Sequence, residues 1–215
     1  SMSHGSMPEG ALGSDYQWLE RKAGVGPWLY DAVDDDWMDS RPLGTQWTPR
    51  SSAPIVYEPS SDLLACLGTT DLMLYRPWTN QVFSRPLPEI LRNRDGYAIA
   101  ADPVNRVLVV FGGIDRNAES EGLSPDEAHK RSVKADTWIY DIVNDTWRQC
   151  RPKTRPPRGM PMNGSIPLAM TYHPPSDTCL LLQPNIDTVQ ADPTQWGGTT
   201  LWSFDVASDA WTKVE

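Results

Sequence analysis

The sequence predicts an all-β fold, and three observations support this prediction. The composition combines 10 Trp, 20 Pro and 15 Gly with only 3 Phe in 215 residues, a mixture typical of short strands joined by turns. An aromatic hairpin pattern recurs along the chain, and a second pattern, rich in aliphatic residues, lies between its copies. We therefore expect a repeated antiparallel architecture rather than long helices.

The aromatic pattern occurs four times and places a large apolar residue seven positions after an aromatic one. In the clearest copy Tyr140 precedes Trp147, and Asn144-Asp145 predicts a two-residue turn that would pair Ile142 with Trp147. The other copies run from Tyr30 to Trp37, from Tyr75 to Val82 and from Phe204 to Trp211, with turns predicted at Asp34-Asp35, Thr79-Asn80 and Ser208-Asp209. Strand alternation then places the aromatic residues of each hairpin on one face.

The aliphatic pattern occurs three times, each time with a polar residue and a proline at the turn. The strands after these turns are continuous apolar runs that begin at Leu63, Val107 and Cys179, which predicts burial on both faces. One aromatic hairpin followed by three aliphatic-plus-aromatic pairs makes three and a half four-stranded units. Such units in series are typical of the blades of a β-propeller.

Several elements recur in register with these units: a turn arginine before the inner strand, a double glycine after the apolar strand, a Tyr-Asp pair and a closing tryptophan. They are Arg50, Arg94 and Arg158, then Gly112-Gly113, Tyr140-Asp141 and Trp147. On these elements the sequence resembles the kelch repeat family over roughly residues 27–215. Leu67-Gly68 and Gln183-Pro184 stand where the double glycine is expected, and Arg76 stands in place of the aspartate. The resemblance implies a partial, half β-propeller of four-stranded antiparallel kelch-like blades.

The expected organisation follows from these units. Residues 1–7 read as a remnant of recombinant expression and residues 8–26 as an N-terminal extension; the propeller segment 27–215 divides into an outer hairpin (27–50) and three blades (51–93, 94–157 and 158–215). Closed propellers have about four to eight blades. We therefore expect the ring to be completed by self-association, by further blades of a longer chain or by another protein.

The long connections all fall at one end of the predicted blades. For strands A to D of a meander, the A–B and C–D turns emerge at one end, and the B–C and D–A connections at the other. The long segments are 41–53, 84–95 and 151–167 as D–A loops, and 114–136 and 184–199 as B–C loops. Binding residues concentrate in loops on a rigid scaffold, and the kelch resemblance implies ligand contacts at this same end.

Candidate binding residues lie in these loops. Arg151, Lys153 and Arg155 concentrate positive charge that suits an acidic peptide or a carboxylated sugar, or they belong to a connector stiffened by proline, and we expect Arg158 to have a structural turn role. Trp47 and Trp196 would stack on a sugar or anchor a peptide, or pack against a neighbouring blade.

Asp115 and Arg116 open the longest insertion. Within it, Ser124, Pro125 and Glu127 form a capping-box pattern that predicts a short surface helix, either a recognition element or a solvated insertion.

Charge and motifs narrow the function. The formal charge of −9 argues against a nucleic-acid or anionic-membrane partner, and the chain shows no catalytic motif, no metal-ligand spacing and no cofactor motif. Cys66, Cys150 and Cys179 are expected to be buried small hydrophobes. We expect a soluble, non-catalytic binding or scaffold module that recognises protein through the B–C and D–A loops. The alternative is part of a carbohydrate-binding or sugar-active propeller enzyme whose site lies in other blades; the cellular location stays open, with an intracellular one favoured.

Overall fold

The computed structural model describes residues 28–40, 43–44, 53–119, 121–158, 168–184 and 198–214. Within these ranges the protein is all-β, as predicted, with sixteen strands in four sheets and a single α-helix. No helix in the described part of the chain is long and apolar enough to cross a membrane.

The first sheet is a hairpin, and the second is a four-stranded meander with one added strand. The first contains β1 (Trp28–Asp31) and β2 (Asp36–Asp39); the second contains β4 (Val56–Glu58), β5 (Leu63–Leu67), β6 (Asp71–Arg76) and β7 (Gln81–Pro86). The short strand β3 (Leu43–Gly44) pairs with β7 in parallel, and all other pairs in the two sheets are antiparallel.

The third and fourth sheets repeat the antiparallel meander. The third contains β8 (Arg94–Asp95), β9 (Ala98–Asp102), β10 (Val107–Asp115), β11 (Val133–Asp141) and β12 (Thr146–Cys150). The fourth contains β13 (Ala169–His173), β14 (Thr178–Pro184), β15 (Thr199–Asp205) and β16 (Ala210–Lys213). The helix α1 (Pro125–Ser132) connects β10 to β11. Single 3₁₀ turns occupy Glu89–Leu91 and Pro174–Ser176.

The predicted two-residue turns are wrong, because the hairpins close with four-residue loops. Tyr140 pairs with Trp147 and Asp141 with Thr146, so Ile142 lies in the loop instead of pairing with Trp147. The same loop length closes all seven hairpins of the two sequence patterns, whereas the β5–β6 connection is shorter, with the Gly68 N–H donating to the Asp71 carbonyl at 2.7 Å. The aromatic residues still face each other, and the rings of Tyr140 and Trp147 lie 5.0 Å apart between centroids.

Two side-chain features explain the loop length. The residue before the loop is usually acidic, and its carboxylate accepts backbone N–H groups within the loop, as Asp141 does from Val143 and Asn144 at 2.9 Å. The fourth loop residue adopts the left-handed conformation, which Asp and Asn tolerate better than most residues. These left-handed residues are Asp35, Asp62, Asn80, Arg106, Asp145, Asp177 and Asp209.

A tyrosine five positions before the left-handed residue completes the loop in five of these seven hairpins. Tyr140 donates its hydroxyl to Asp145 at 2.6 Å, and Tyr57, Tyr75, Tyr172 and Tyr30 make the equivalent bond to their own Asp or Asn. The two exceptions have Ala101 and Phe204 at the tyrosine position.

The left-handed residues of the aromatic hairpins also link neighbouring sheets. Asn80 donates to the Ser40 carbonyl, Asp145 pairs with Arg85 at 2.7 Å, and Asp209 pairs with Arg148 at 2.6 Å. Each link joins the outer strand of one sheet, or the residue after it, to the hairpin of the next sheet.

The second, third and fourth sheets pack face to face in chain order. Leu72, Leu74, Leu108 and Tyr140 belong to the core between the second and third sheets. Phe111 and Trp211 contact each other in the core between the third and fourth sheets, with ring centroids 5.2 Å apart. The first strands of the meanders are adjacent, since β4 and β13 both contact β9.

The predicted burial of the apolar strands holds for the third sheet and fails for the fourth. Every residue of β10 except Asp115 is buried, whereas Leu182 in β14 is 45% exposed. The run in β14 is apolar, but only the face of Cys179 and Leu181 packs against the third sheet. The buried positions predicted for Cys66, Cys150 and Cys179 are confirmed, and burial raises the pKa of each thiol to about 12.

The double glycine lies at a bulge in the third sheet. The register shifts between Phe111 and Gly113, and both Gly112 and Gly113 have positive φ angles, of 64° and 95°. Arg94 is fully buried beside this bulge, where it donates to the Gly112 carbonyl at 3.0 Å and binds both oxygens of Asp136 at 2.8 and 3.2 Å. Burial disfavours the charged form of Asp136, but the bonds and charge of Arg94 outweigh it and lower the pKa of this carboxyl.

Candidate functional site

We call the end of the strands at which β10 leads into α1 the loop face, and α1 lies on it. The predicted capping box is present: Ser124 Oγ accepts from the Glu127 backbone N–H at 3.4 Å, and Glu127 accepts from the Ser124 N–H at 3.0 Å. The hydrogen bonds from Ser124 lower the pKa of Glu127. The helix prediction is therefore confirmed, with its bounds at Pro125–Ser132.

Asp115 and Arg116 make ion pairs within the third sheet. Asp115 is the last residue of β10, not a loop residue as expected, and pairs with Lys134 at 3.2 Å. Arg116 Nε lies 2.7 Å from Asp95 Oδ2. Both side chains are therefore already engaged in ion pairs at the base of the insertion.

The basic segment after β12 differs from Asp115 and Arg116 in its ion pairing. Arg151, Lys153 and Arg155 are exposed, and none makes an ion pair within the described ranges. Arg158 donates to the Lys130 carbonyl at 3.2 Å and so contacts the end of α1. Trp47 and Trp196 lie outside the described residues.

A cleft opens at the opposite end of the strands, which we call the turn face. Its volume is about 580 Å³, and it lies between the second and third sheets. The lining residues come from loops and strand ends of both sheets: Ser61, Leu63, Leu74, Arg76, Phe83, Arg85, Arg106, Tyr140, Ile142, Val143 and Asp145. Sequence reasoning missed this site because it treated the tight turns as structural.

Three arginines, Arg76, Arg85 and Arg106, make the lining of the cleft basic. Arg85 pairs with Asp145, whose other oxygen accepts from Tyr140; burial, and then this hydrogen bond, raise the pKa of Tyr140. The Arg76 guanidinium lies over the Phe83 ring, 5.3 Å from its centroid. Arg106 is exposed; the hydrogen bonds from Asn144 are the main cause of the lowered pKa of Asp141, and the charge of Arg106 adds a smaller part. Within the described ranges neither Arg76 nor Arg106 makes a side-chain hydrogen bond or an ion pair.

The repeat contained a signal for this cleft. Arg76 precedes its loop, where five of the other six hairpins with four-residue loops have Asp or Glu. Arg106 occupies the left-handed position, where the other six have Asp or Asn. The two residues that depart from the repeat, Arg76 and Arg106, therefore line the same cleft.

The described residues contain no group of three or more His, Cys, Asp or Glu side chains that could hold a metal ion. The chain matches no family model, and no curated protein resembles it at a significant level. The case for a function therefore depends on the two basic sites and on the sheet geometry.

Proposed function

We propose that this chain is a segment of a kelch-like β-propeller that functions as a non-catalytic binding or scaffold module. The packing of successive four-stranded meanders supports this proposal, as does the contact of β4 and β13 with β9, the strand that begins the third meander. Blades of a propeller are arranged in this way, with the first strand of each nearest the axis.

The loop face recognises a protein partner through an acidic segment. The observation that carries this proposal is the contrast between Arg151, Lys153 and Arg155, which are exposed and without ion pairs in the described ranges, and Arg116, whose charge is already paired. Guanidinium groups bind carboxylates in a bidentate manner, which gives both affinity and geometry.

The test uses a fluorescein-labelled hexaglutamate peptide and fluorescence anisotropy. We expect the triple variant Arg151→Ala, Lys153→Ala and Arg155→Ala to bind the peptide at least about tenfold more weakly than the native chain. The double variant Arg76→Asn and Arg106→Asn removes charge from the turn face and serves as the control. An unchanged affinity in the triple variant overturns the loop-face proposal.

Further sheets cover the two end faces, either from a second copy or from further blades. Tyr140 and Phe111 in the third sheet are 2% and 1% exposed, whereas Tyr30 and Leu182 at the equivalent register positions are 49% and 45% exposed. Native mass measurement tests the first route, and a stable monomer of 24.1 kDa overturns self-association.

A further inference from the structure

We propose that the cleft on the turn face binds a small organic anion, with a carboxylate or phosphate group attached to an apolar body. The cleft shares no residue with the basic segment of the loop face and lies at the other end of the strands, so this inference does not depend on the proposed function. Its volume of about 580 Å³ suits a small molecule, since ligand pockets enclose roughly 300–1,000 Å³.

The charge of the cleft is opposite to that of the protein. Three guanidinium groups and one carboxylate, that of Asp145, line it in a chain whose formal charge is −9. Asp145 pairs with Arg85, which leaves Arg76 and Arg106 available to an oxyanion. A local excess of positive charge in an acidic protein selects for anionic ligands.

Folding does not explain these two arginines. At position 76 the repeat has an acidic side chain that caps the loop, and Arg76 cannot accept those N–H groups. At position 106 an arginine holds a φ of 56°, a conformation that costs it more than it costs Asp or Asn. Both residues weaken their own hairpins and both line the cleft, which is the pattern expected of residues retained for binding.

The remaining lining provides an apolar floor. Leu63 and Leu74 are buried at 5% exposure, and Phe83 and Ile142 are partly buried beside them. Because Arg76 lies over the Phe83 ring, its guanidinium is held at the edge of this floor. A ligand with an apolar body on the floor therefore brings its oxyanion against the guanidinium groups at the rim.

Isothermal titration calorimetry of the full chain at low ionic strength provides the test. The probes are phenyl phosphate and benzoate, which combine both features, with inorganic phosphate and benzyl alcohol, which each carry one. We expect one saturable site for phenyl phosphate, for benzoate or for both, at least about tenfold tighter than for either single-feature probe, because charge and apolar contact act together. Comparison of the two combined probes distinguishes phosphate from carboxylate as the preferred anion.

Two variants remove charge without disturbing the loops. In Arg106→Asn the asparagine suits the left-handed conformation, as Asn80 does in the β6–β7 loop, and in Arg76→Asn its amide oxygen can accept the N–H groups that an acidic residue accepts in other loops. Each is expected to weaken binding about tenfold, the loss of one charge-assisted contact. The triple variant of Arg151, Lys153 and Arg155 is the matched control and should bind like the native chain.

A third variant is expected to strengthen binding. Asp145→Asn releases Arg85 to the ligand while the amide oxygen still accepts from Tyr140, and we expect affinity to rise about threefold. The absence of saturable binding overturns the proposal. It is also overturned by equal affinity for inorganic phosphate or benzyl alcohol, or by unchanged affinity in both arginine variants.

Discussion

The third and fourth sheets have the same strand order and the same hairpin loops, but they differ in what surrounds them. The third sheet packs against a neighbour on both faces, and Phe111 is 1% exposed. The fourth packs on one face, and Leu182, in the register position of Phe111, is 45% exposed. A strand can therefore be equally apolar in two repeats and have different roles, because burial depends on the neighbouring sheet.

The two sheets also differ at the end of the second strand. The third sheet has a bulge at Gly112 and Gly113, and Arg94 fills the space beside it. In the fourth sheet Gln183 and Pro184 occupy the same positions, and their pairing with β15 is regular. The bulge and the buried ion pair thus belong together, and the fourth sheet has neither at this point.

Removal of Arg94 should have the largest effect. Arg94→Met leaves Asp136, whose side chain is 14% exposed, without its cation, and we expect a loss of about 4 kcal/mol in the free energy of unfolding, measured by urea denaturation. Arg158→Met, the counterpart before the fourth sheet, removes one exposed hydrogen bond and should cost less than about 1 kcal/mol. Equal losses would contradict the distinction between the two sheets.

The same ion pair predicts a dependence on pH. The pKa of Asp136 is lower in the folded protein, so its contribution is fully present above the unfolded value of about 3.9 and is lost as the pH falls through the lower folded value. We expect the native chain to lose this stability in acid. Arg94→Met should lack that part of the acid dependence, as measured by urea midpoints from pH 6 to pH 2.

Truncation of Phe111 and Leu182, which occupy the same register position in the two sheets, should give the next largest contrast in stability. Phe111→Ala opens a cavity between two sheets and is expected to cost about 3 kcal/mol. Leu182→Ala removes a side chain that is 45% exposed and should cost about 1 kcal/mol or less. Thermal unfolding of both variants checks this, and a cost for Leu182→Ala that matches Phe111→Ala would mean that its face is covered in solution.

A substitution at the bulge should cause a smaller loss of stability. A Cβ atom on Gly113 would lie 2.6 Å from the Asp95 carbonyl oxygen, so Gly113→Ala combines a clash with a φ of 95° and should cost about 2 kcal/mol. Gly122 also has a positive φ but stands in open space, and Gly122→Ala should cost about 1 kcal/mol. Chemical denaturation of the two alanine variants separates the clash from the backbone conformation.

The hairpin tyrosine should give the smallest contrast. Tyr140→Phe removes the hydroxyl that Asp145 accepts and is expected to cost about 1 kcal/mol. The reverse change in the fourth sheet, Phe204→Tyr, should alter stability by less than about 0.5 kcal/mol, because both carboxylate oxygens of Asp209 already accept, one from Arg148 and the other from the Cys150 thiol. A large gain from Phe204→Tyr would show that the tyrosine bond is worth more than the link between sheets.

The sequence was informative where a property is local. It predicted the strands, the common face of Tyr140 and Trp147 and the capping box at Ser124, since each depends on residues a few positions apart. It failed at the loop length, because Asn144-Asp145 suits two-residue and four-residue loops alike and the Asp141 cap decides between them.

The candidate sites were harder to predict for a physical reason. The cleft is formed by residues as distant in the chain as Ser61 and Asp145, which only the packing of two sheets brings together. Arg76 was noted as an exception to the repeat and Arg106 could have been, but the sequence could not predict that the two line one cleft. On the loop face, the sequence identified the exposed Arg151, Lys153 and Arg155, yet did not show that Arg116 is paired with Asp95.

The links from the left-handed loop residues to the preceding sheet have a mechanical consequence. Asn80, Asp145 and Asp209 each connect their hairpin to the sheet before it. Strain applied to one outer strand therefore passes directly to the next hairpin, without crossing the apolar core. In an array whose members contact only their neighbours, such links add to the coupling between adjacent sheets, so that loss of order in one sheet favours its loss in the next.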